Sequence, residues 1–181
     1  MHSAIFLDRD GVIIQNRSNY VRSWAEVIFF PQALTALQAL ARTNRLIIIV
    51  TNQSVVGQKL ITLGSAMEIN LRIHDHVHAF AGRIDGFYMC PHTPVEACAC
   101  RKPKPGMLLQ AASDFAIDLH RSVFIGDALS DIQAGQAAGI QKNILVKTGL
   151  GIEQQNNFSA VLVQPYLTVD TLLDAVAHIN L

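Results

Sequence analysis

Runs of consecutive apolar residues, closed by polar ones, alternate along this chain with segments whose apolar positions recur every three or four residues. Ala4, Ile5, Phe6 and Leu7 form the first run, and Leu46 to Val50 the second. Uninterrupted runs of this length read as strands buried on both faces. Further short strands are expected over 86–89, 122–125 and 143–146, with a last one over 159–163. Pro31 suits a first helical turn, and leucines follow at 34, 37 and 40, so a helix is predicted over 31–43. Helices are likewise expected over 63–82, 105–119, 132–138 (stopped by Gly139) and 167–178.

Strand and helix alternating in this way predict an α/β fold, a Rossmann-like parallel sheet with helices on both faces. The chain has 181 residues, half of them apolar and 15% charged, which fits one compact domain over 1–181. Fourteen basic residues balance fourteen acidic ones, so bulk charge offers nothing to nucleic acid or to a membrane surface. The strongest apolar run, at 46–50, is far too short to cross a bilayer. Carboxylates at 8 and 10 come before any stretch resembling a secretory signal. A soluble, cytoplasmic protein is expected, and a monomer.

In open parallel sheets, ligands bind beyond the carboxyl ends of the strands. Asp8-Arg9-Asp10-Gly11-Val12 follows the first strand, Thr51-Asn52-Gln53-Ser54 the second, and Gly126-Asp127 the fourth, while Lys102 stands just before a helix. Two carboxylates two residues apart at the end of a buried strand are costly unless they do chemistry or bind a cation. One can attack phosphorus while its neighbour handles the leaving-group proton. A strand end with two solvated acids is the plain alternative for that stretch alone. Caps and turn formers explain each of the polar endings separately, but not readily all of them on one rim.

In this order, Asp8-Arg9-Asp10-Gly11-Val12, Thr51-Asn52-Gln53, Lys102 within Arg101-Lys102-Pro103-Lys104-Pro105, and Gly126-Asp127 with Asp131 resemble the four motifs of the haloacid dehalogenase (HAD) superfamily. The likeness spans roughly residues 4–150. It implies that Asp8 attacks the phosphoryl group and that Asp10 protonates the leaving oxygen and later activates water. It implies Mg²⁺ held by Asp8, the backbone carbonyl of Asp10, and Asp127. Thr51 and Asn52 would contact the substrate, Lys102 would offset phosphoryl charge, and Asp131 would hold Lys102 in place.

All three cysteines fall within eleven residues, as Cys90-Pro91-His92 and Cys98-Ala99-Cys100. Three thiols and an imidazole are the ligand set of a closed tetrahedral Zn²⁺ site, so a small zinc loop is expected over 90–100. Buried, unligated thiols are the alternative; an odd number of cysteines argues against a disulfide framework. With this loop running into Arg101 and Lys102, the chain resembles the D-glycero-D-manno-heptose 1,7-bisphosphate phosphatases. The related histidinol-phosphate phosphatases share the loop and most of the motifs. The likeness implies a small phosphorylated sugar as substrate, with Arg101 on its distal group, although Arg101 also reads as a solvent-facing charge. The 40 residues from Gly11 to Val50 leave no room for a large cap domain.

The chain departs from that family in places. Val55 stands where glycine is frequent, Gln58-Lys59 where an Arg-Gly pair is, and Ala128 where lysine is common. Tyr20 and Trp24 are candidates to wall a sugar site or to pack ordinarily. His74, His76 and His78 are not expected to bind metal, because a helix puts only the first and third on one face. The Asn-x-Ser sequences at Asn16, Asn52 and Asn157 are read as unglycosylated, and residues 167–181 as a packing helix without a membrane role.

Overall fold

Strand β1 (Ala4–Leu7) is buried along its whole length, and its side chains alternate between two cores. Ile5 and Leu7 join Ile47, Ile49, Val123, Ile125, Ile144 and Val146 on one face of the sheet. Ala4 and Phe6 join Ile48, Val50 and Phe124 on the other. A strand apolar at both parities must be covered on both sides, and here it is. The computed structural model describes residues 2–157 and 159–179.

Helix α1 (Pro31–Leu40) begins at its proline and buries Ala33, Ala36, Leu37 and Leu40. Strand β2 (Leu46–Asn52) follows, then a short helix α2 (Ser54–Gly57), the long α3 (Leu63–Ala79) and strand β3 (Gly86–Cys90). After the cysteine loop come α4 (Gly106–Phe115), β4 (Val123–Gly126), α5 (Leu129–Ala137), β5 (Lys142–Val146), α6 (Gly151–Gln155), α7 (Ala160–Val163), β6 (Leu167–Val169) and α8 (Leu172–Val176). All six strands are parallel, in the order β3-β2-β1-β4-β5-β6. The direction of winding reverses between β1 and β4, which opens a crevice beyond their carboxyl ends. The chain is a single α/β domain without a large cap.

Beyond helix bounds that shift by several residues and a helix α6 that it does not announce, the pattern misleads most plainly in three places. Strand β2 is two residues longer than its apolar run, because Thr51 and Asn52 stay in register with Met89 and Cys90 of β3. Residues 159–163, expected as a strand, contain helix α7. Ala160 and Val163, three apart, pack with Leu129, Ile132 and Leu145, a helical spacing that overrides the β-branched composition. The expected helix over 167–178 begins instead as β6, which pairs with β5 through Leu167, Thr168 and Val169. Only after Thr171, whose hydroxyl accepts from Asp174 N, does the chain turn helical. Residues 180 and 181 lie outside the described residues. No helix among those described is long and apolar enough to cross a membrane.

Gly11 closes the turn after β1 with φ +86°, and a Cβ there would run into the carboxylate of Asp127 at the end of β4. The two strand ends at the crevice meet through this one glycine. Gly11→Ala is therefore expected to lower unfolding stability by about 2 kcal/mol or more, combining left-handed backbone strain with overpacking. Urea denaturation measures it, and an unchanged midpoint would contradict the close approach.

Candidate active site

Asp8, Asp127 and Asp131 reach the crevice from the ends of β1 and β4 and from the first turn of α5, and all three are buried. One oxygen of each lies within 4.8 Å of the others. Lys102, itself only 4% exposed, enters from the segment before α4. Its Nζ is 2.7 Å from Asp8 Oδ1 and 2.6 Å from Asp131 Oδ1, and donates to Val50 O at 2.8 Å. The second oxygen of Asp131 accepts from Ala128 N at 3.1 Å, so Asp131 is fully engaged in holding Lys102 and the start of α5.

Burial pushes the Asp8 carboxyl up to about 7; Lys102 pulls against this, while Asp131 and Asp10 add to it. Burial likewise raises Asp127 to about 8, and the neighbouring Asp8 and Asp131 raise it further against hydrogen bonds from Leu150 N and Asn16. Lys102 is held firmly protonated: Asp131 and Asp8 outweigh the burial that would neutralise it. One ammonium thus faces three buried carboxyl groups, and the site is short of positive charge.

Among the described contacts Asp10 makes no ion pair with Lys102; its partner is Arg9. Arg9, buried among core residues, clamps it through Nε and Nη2 at 2.9–3.1 Å and is itself held by Asn70 Oδ1 at 2.8 Å. Gln53 Nε2 donates to Asp10 Oδ2 at 2.7 Å and to Thr51 Oγ1 at 2.9 Å, which leaves the Thr51 hydroxyl hydrogen free to donate elsewhere. Asn52 grips the backbone of Lys102 with both ends of its amide, each at 3.1 Å. Arg101 Nη1 donates to His92 O at 3.0 Å, tying the cysteine loop to the segment that carries Lys102.

A cavity of about 500 Å³ lies over these groups, lined by Asp8, Asp10, Thr51, Lys102, Asp127 and Asp131 and by the loop from Asn16 to Val21. Tyr20 is part of that wall, and its Oη accepts from Gln58 at 2.8 Å. Trp24 packs instead against Phe29, at the edge of the first core, and against His76. Asn16, Thr148 and Leu150 complete the rim. Asn16 Nδ2 and Leu150 N donate to Asp127 Oδ2 at 3.2 and 2.9 Å, and the Thr148 hydroxyl donates to Gly11 O at 2.5 Å. The rule that ligands gather at strand ends, applied to Val146 at the end of β5, points to Thr148 and Leu150; no comparable signal points to Asn16 or to the clamp of Arg9.

Cys90 Sγ, His92 Nδ1, Cys98 Sγ and Cys100 Sγ form a second cluster, with separations of 3.2–3.6 Å linking the four atoms. That is too far for a disulfide, near 2.05 Å, and close to the edge of a tetrahedron about one ion. Pairing of Asn52 with Cys90 in the sheet sets this cluster beside the crevice. Among the described residues His74 and His78 join no metal-sized group; their rings simply stack, 6.3 Å apart.

Residues 99–175 match the family model described as "HAD-hyrolase-like". The D-glycero-beta-D-manno-heptose-1,7-bisphosphate 7-phosphatase of Neisseria meningitidis serogroup A is 37% identical over 94% of this chain and 90% of its own length. That of Vibrio cholerae is 38% identical over 88% of this chain and 89% of its own. The crystal structure of the D,D-heptose 1,7-bisphosphate phosphatase from B. bronchiseptica, complexed with magnesium and phosphate, superposes with a TM-score of 0.89 at 32% identity, covering 97% of both chains. Sequence likeness over nearly the whole length and a shared fold agree, and the chain belongs to the D-glycero-beta-D-manno-heptose-1,7-bisphosphate 7-phosphatase family of HAD-like hydrolases.

Proposed function

We propose that this protein is a Mg²⁺-dependent phosphomonoesterase that removes the 7-phosphate of D-glycero-D-manno-heptose 1,7-bisphosphate through an aspartyl-phosphate. The observation that carries the reading is the pairing of Asp8 and Asp127 beside Lys102 at the β1/β4 crevice. The donors are all oxygen and the site lacks positive charge, so a hard divalent cation fits. Asp8, the backbone carbonyl of Asp10 and Asp127 would hold it, while Asp131 stays with Lys102. When bound, the ion offsets the charge of Asp8, Asp127 and the phosphoryl oxygens.

Asp8 Oδ2, the oxygen not held by Lys102, attacks phosphorus, and the bond to the sugar oxygen breaks. Lys102 and the Thr51 hydroxyl stabilise the equatorial oxygens. Asp10 gives its proton to the leaving oxygen and then takes one from the water that attacks the aspartyl-phosphate at phosphorus. That second displacement releases phosphate and restores the Asp8 carboxylate. Arg9 and Gln53 fix where Asp10 stands, and Asn52 fixes the backbone that carries Lys102. The Cys90–Cys100 loop, whose four ligands would hold Zn²⁺, anchors the same segment, and Arg101, tied to His92 O, would meet the distal group of the substrate. Residues 1–181 work as one unit.

Asp8→Asn is expected to cut kcat by at least about a thousandfold, since no other group takes over the covalent step, with an unchanged circular dichroism spectrum. Phosphate release from heptose bisphosphate, histidinol phosphate and hexose phosphates should favour the first; equal rates throughout would leave only a general phosphatase, and none at all a binding module. The raised acids also make stability depend on pH. Asp8 and Asp127 keep protons up to about 7 and 8 in the folded, magnesium-free chain, but lose them near 3.8 when unfolded. Their stabilisation is therefore complete below pH 3.8 and lost as pH rises to about 8. Thermal midpoints in magnesium-free buffer should fall across that window, and added Mg²⁺ should restore more at pH 8 than at pH 5. An Asp127→Asn protein that responds to Mg²⁺ as the parent does would contradict the site.

A further inference from the structure

We propose that Asn70, a residue of helix α3 that does not line the active-site cavity, is a positioning residue that holds the Asp10 acid in place through Arg9. The inference rests on the phosphatase reading above and on the role it gives Asp10. The buried stripe of α3 runs through Ala66, Ile69, Ile73 and Val77, and Asn70 stands within it, only 6% exposed. An amide on a buried apolar stripe is costly unless it is hydrogen-bonded. Its oxygen accepts from Arg9 Nη1 at 2.8 Å, and its nitrogen donates to Met89 Sδ of β3 at 3.8 Å. A guanidinium only donates, so the oxygen end must face Arg9.

Arg9 and Asp10 are neighbours in the chain, so their ion pair travels with the turn that carries both and does not by itself fix that turn against the rest of the fold. Asn70, 61 residues beyond Arg9, supplies an outside anchor. Nε and Nη2 of Arg9 grip the Asp10 carboxylate, while Nη1, the nitrogen that takes no part in that grip, is held by Asn70. Two points of attachment set how the planar fork lies. Arg9 is 1% exposed, so without Asn70 its buried Nη1 lacks an acceptor and the fork must turn to find one, taking Asp10 with it. The consequence falls on one part of the reaction. As the Asp8–phosphorus bond forms and the phosphorus–oxygen bond to the sugar breaks, the Asp10 proton passes to that oxygen. A sugar alkoxide needs the proton to leave, whereas p-nitrophenolate leaves without it.

The test measures kcat and KM for heptose 1,7-bisphosphate and for p-nitrophenyl phosphate, with Mg²⁺ present, in the parent and in Asn70→Leu, Asn70→Asp and Asp10→Asn. In Asn70→Leu, kcat for the heptose bisphosphate should fall at least about tenfold with KM within about twofold, and kcat/KM for p-nitrophenyl phosphate should fall less than about threefold. Asn70→Asp, which keeps an acceptor oxygen at the same reach, should recover most of the loss. Asp10→Asn should show the same selectivity between leaving groups, to a greater degree. Thermal midpoints establish that each variant is folded, and Asn70→Ala carries the same comparison if leucine prevents folding. Equal losses on the two substrates, or none on the heptose bisphosphate, would overturn the role of Asn70 while the phosphatase reading stands. An Asp10→Asn protein without that selectivity, or a parent that releases no phosphate, would overturn the role of Asp10 and that of Asn70 with it.

Discussion

The ammonium of Lys102, sealed between Asp8, Asp131 and the Val50 carbonyl of β2, is the contact on which the site depends. Burying a carboxylate at a strand end is unfavourable, and burying three together is worse. Lys102 makes the arrangement tolerable by bonding two of them directly and, through Asp131, fixing the first turn of α5 behind the third. Remove the cation and the buried acids would be left uncompensated, a change that typically costs about 3–5 kcal/mol for a broken buried pair. The same charge, together with the proposed Mg²⁺, favours the ionised form of Asp8 that attacks on the proposed mechanism.

Several devices serve to deliver that one side chain. The Asn52 amide fastens the Lys102 backbone to the end of β2, and parallel pairing of β2 with β3 brings Cys90 alongside. The cluster of Cys90, His92, Cys98 and Cys100 then closes two residues before Lys102, and Lys104 Nζ donates to Ala97 O and Cys98 O on the same loop. A segment without an apolar core of its own is thereby made rigid. This links the metal-sized cluster to catalysis through geometry, although none of its atoms faces the reacting phosphorus in the proposed scheme.

Much of the fold was legible because its central strands are buried on both faces, so that β1, β2, β4 and β5 announce themselves as unbroken apolar runs. Legibility failed where burial is one-sided or short. Residues 160–163 look like a strand by composition yet bury only Ala160 and Val163, and β6 carries three residues at the sheet edge. In the site, residues contributed by strand ends could be found, because acids in such positions are conspicuous. Arg9 was harder to assign, since an arginine next to two aspartates reads as solvated charge until burial shows it clamping Asp10. Arg101 was conspicuous for its neighbours, the cysteine loop before it and Lys102 after it.

Chemical trapping tests the central claim, that Asp8 is the ionised nucleophile held by Lys102. Protein quenched in acid during turnover of heptose 1,7-bisphosphate and reduced with borohydride should carry homoserine at position 8, because an acyl phosphate is reduced where a free carboxylate is not. Peptide mapping by mass spectrometry reads the site directly. Homoserine at position 8 during turnover, and not without substrate, is the predicted result. Steady turnover with homoserine at another aspartate would contradict the account.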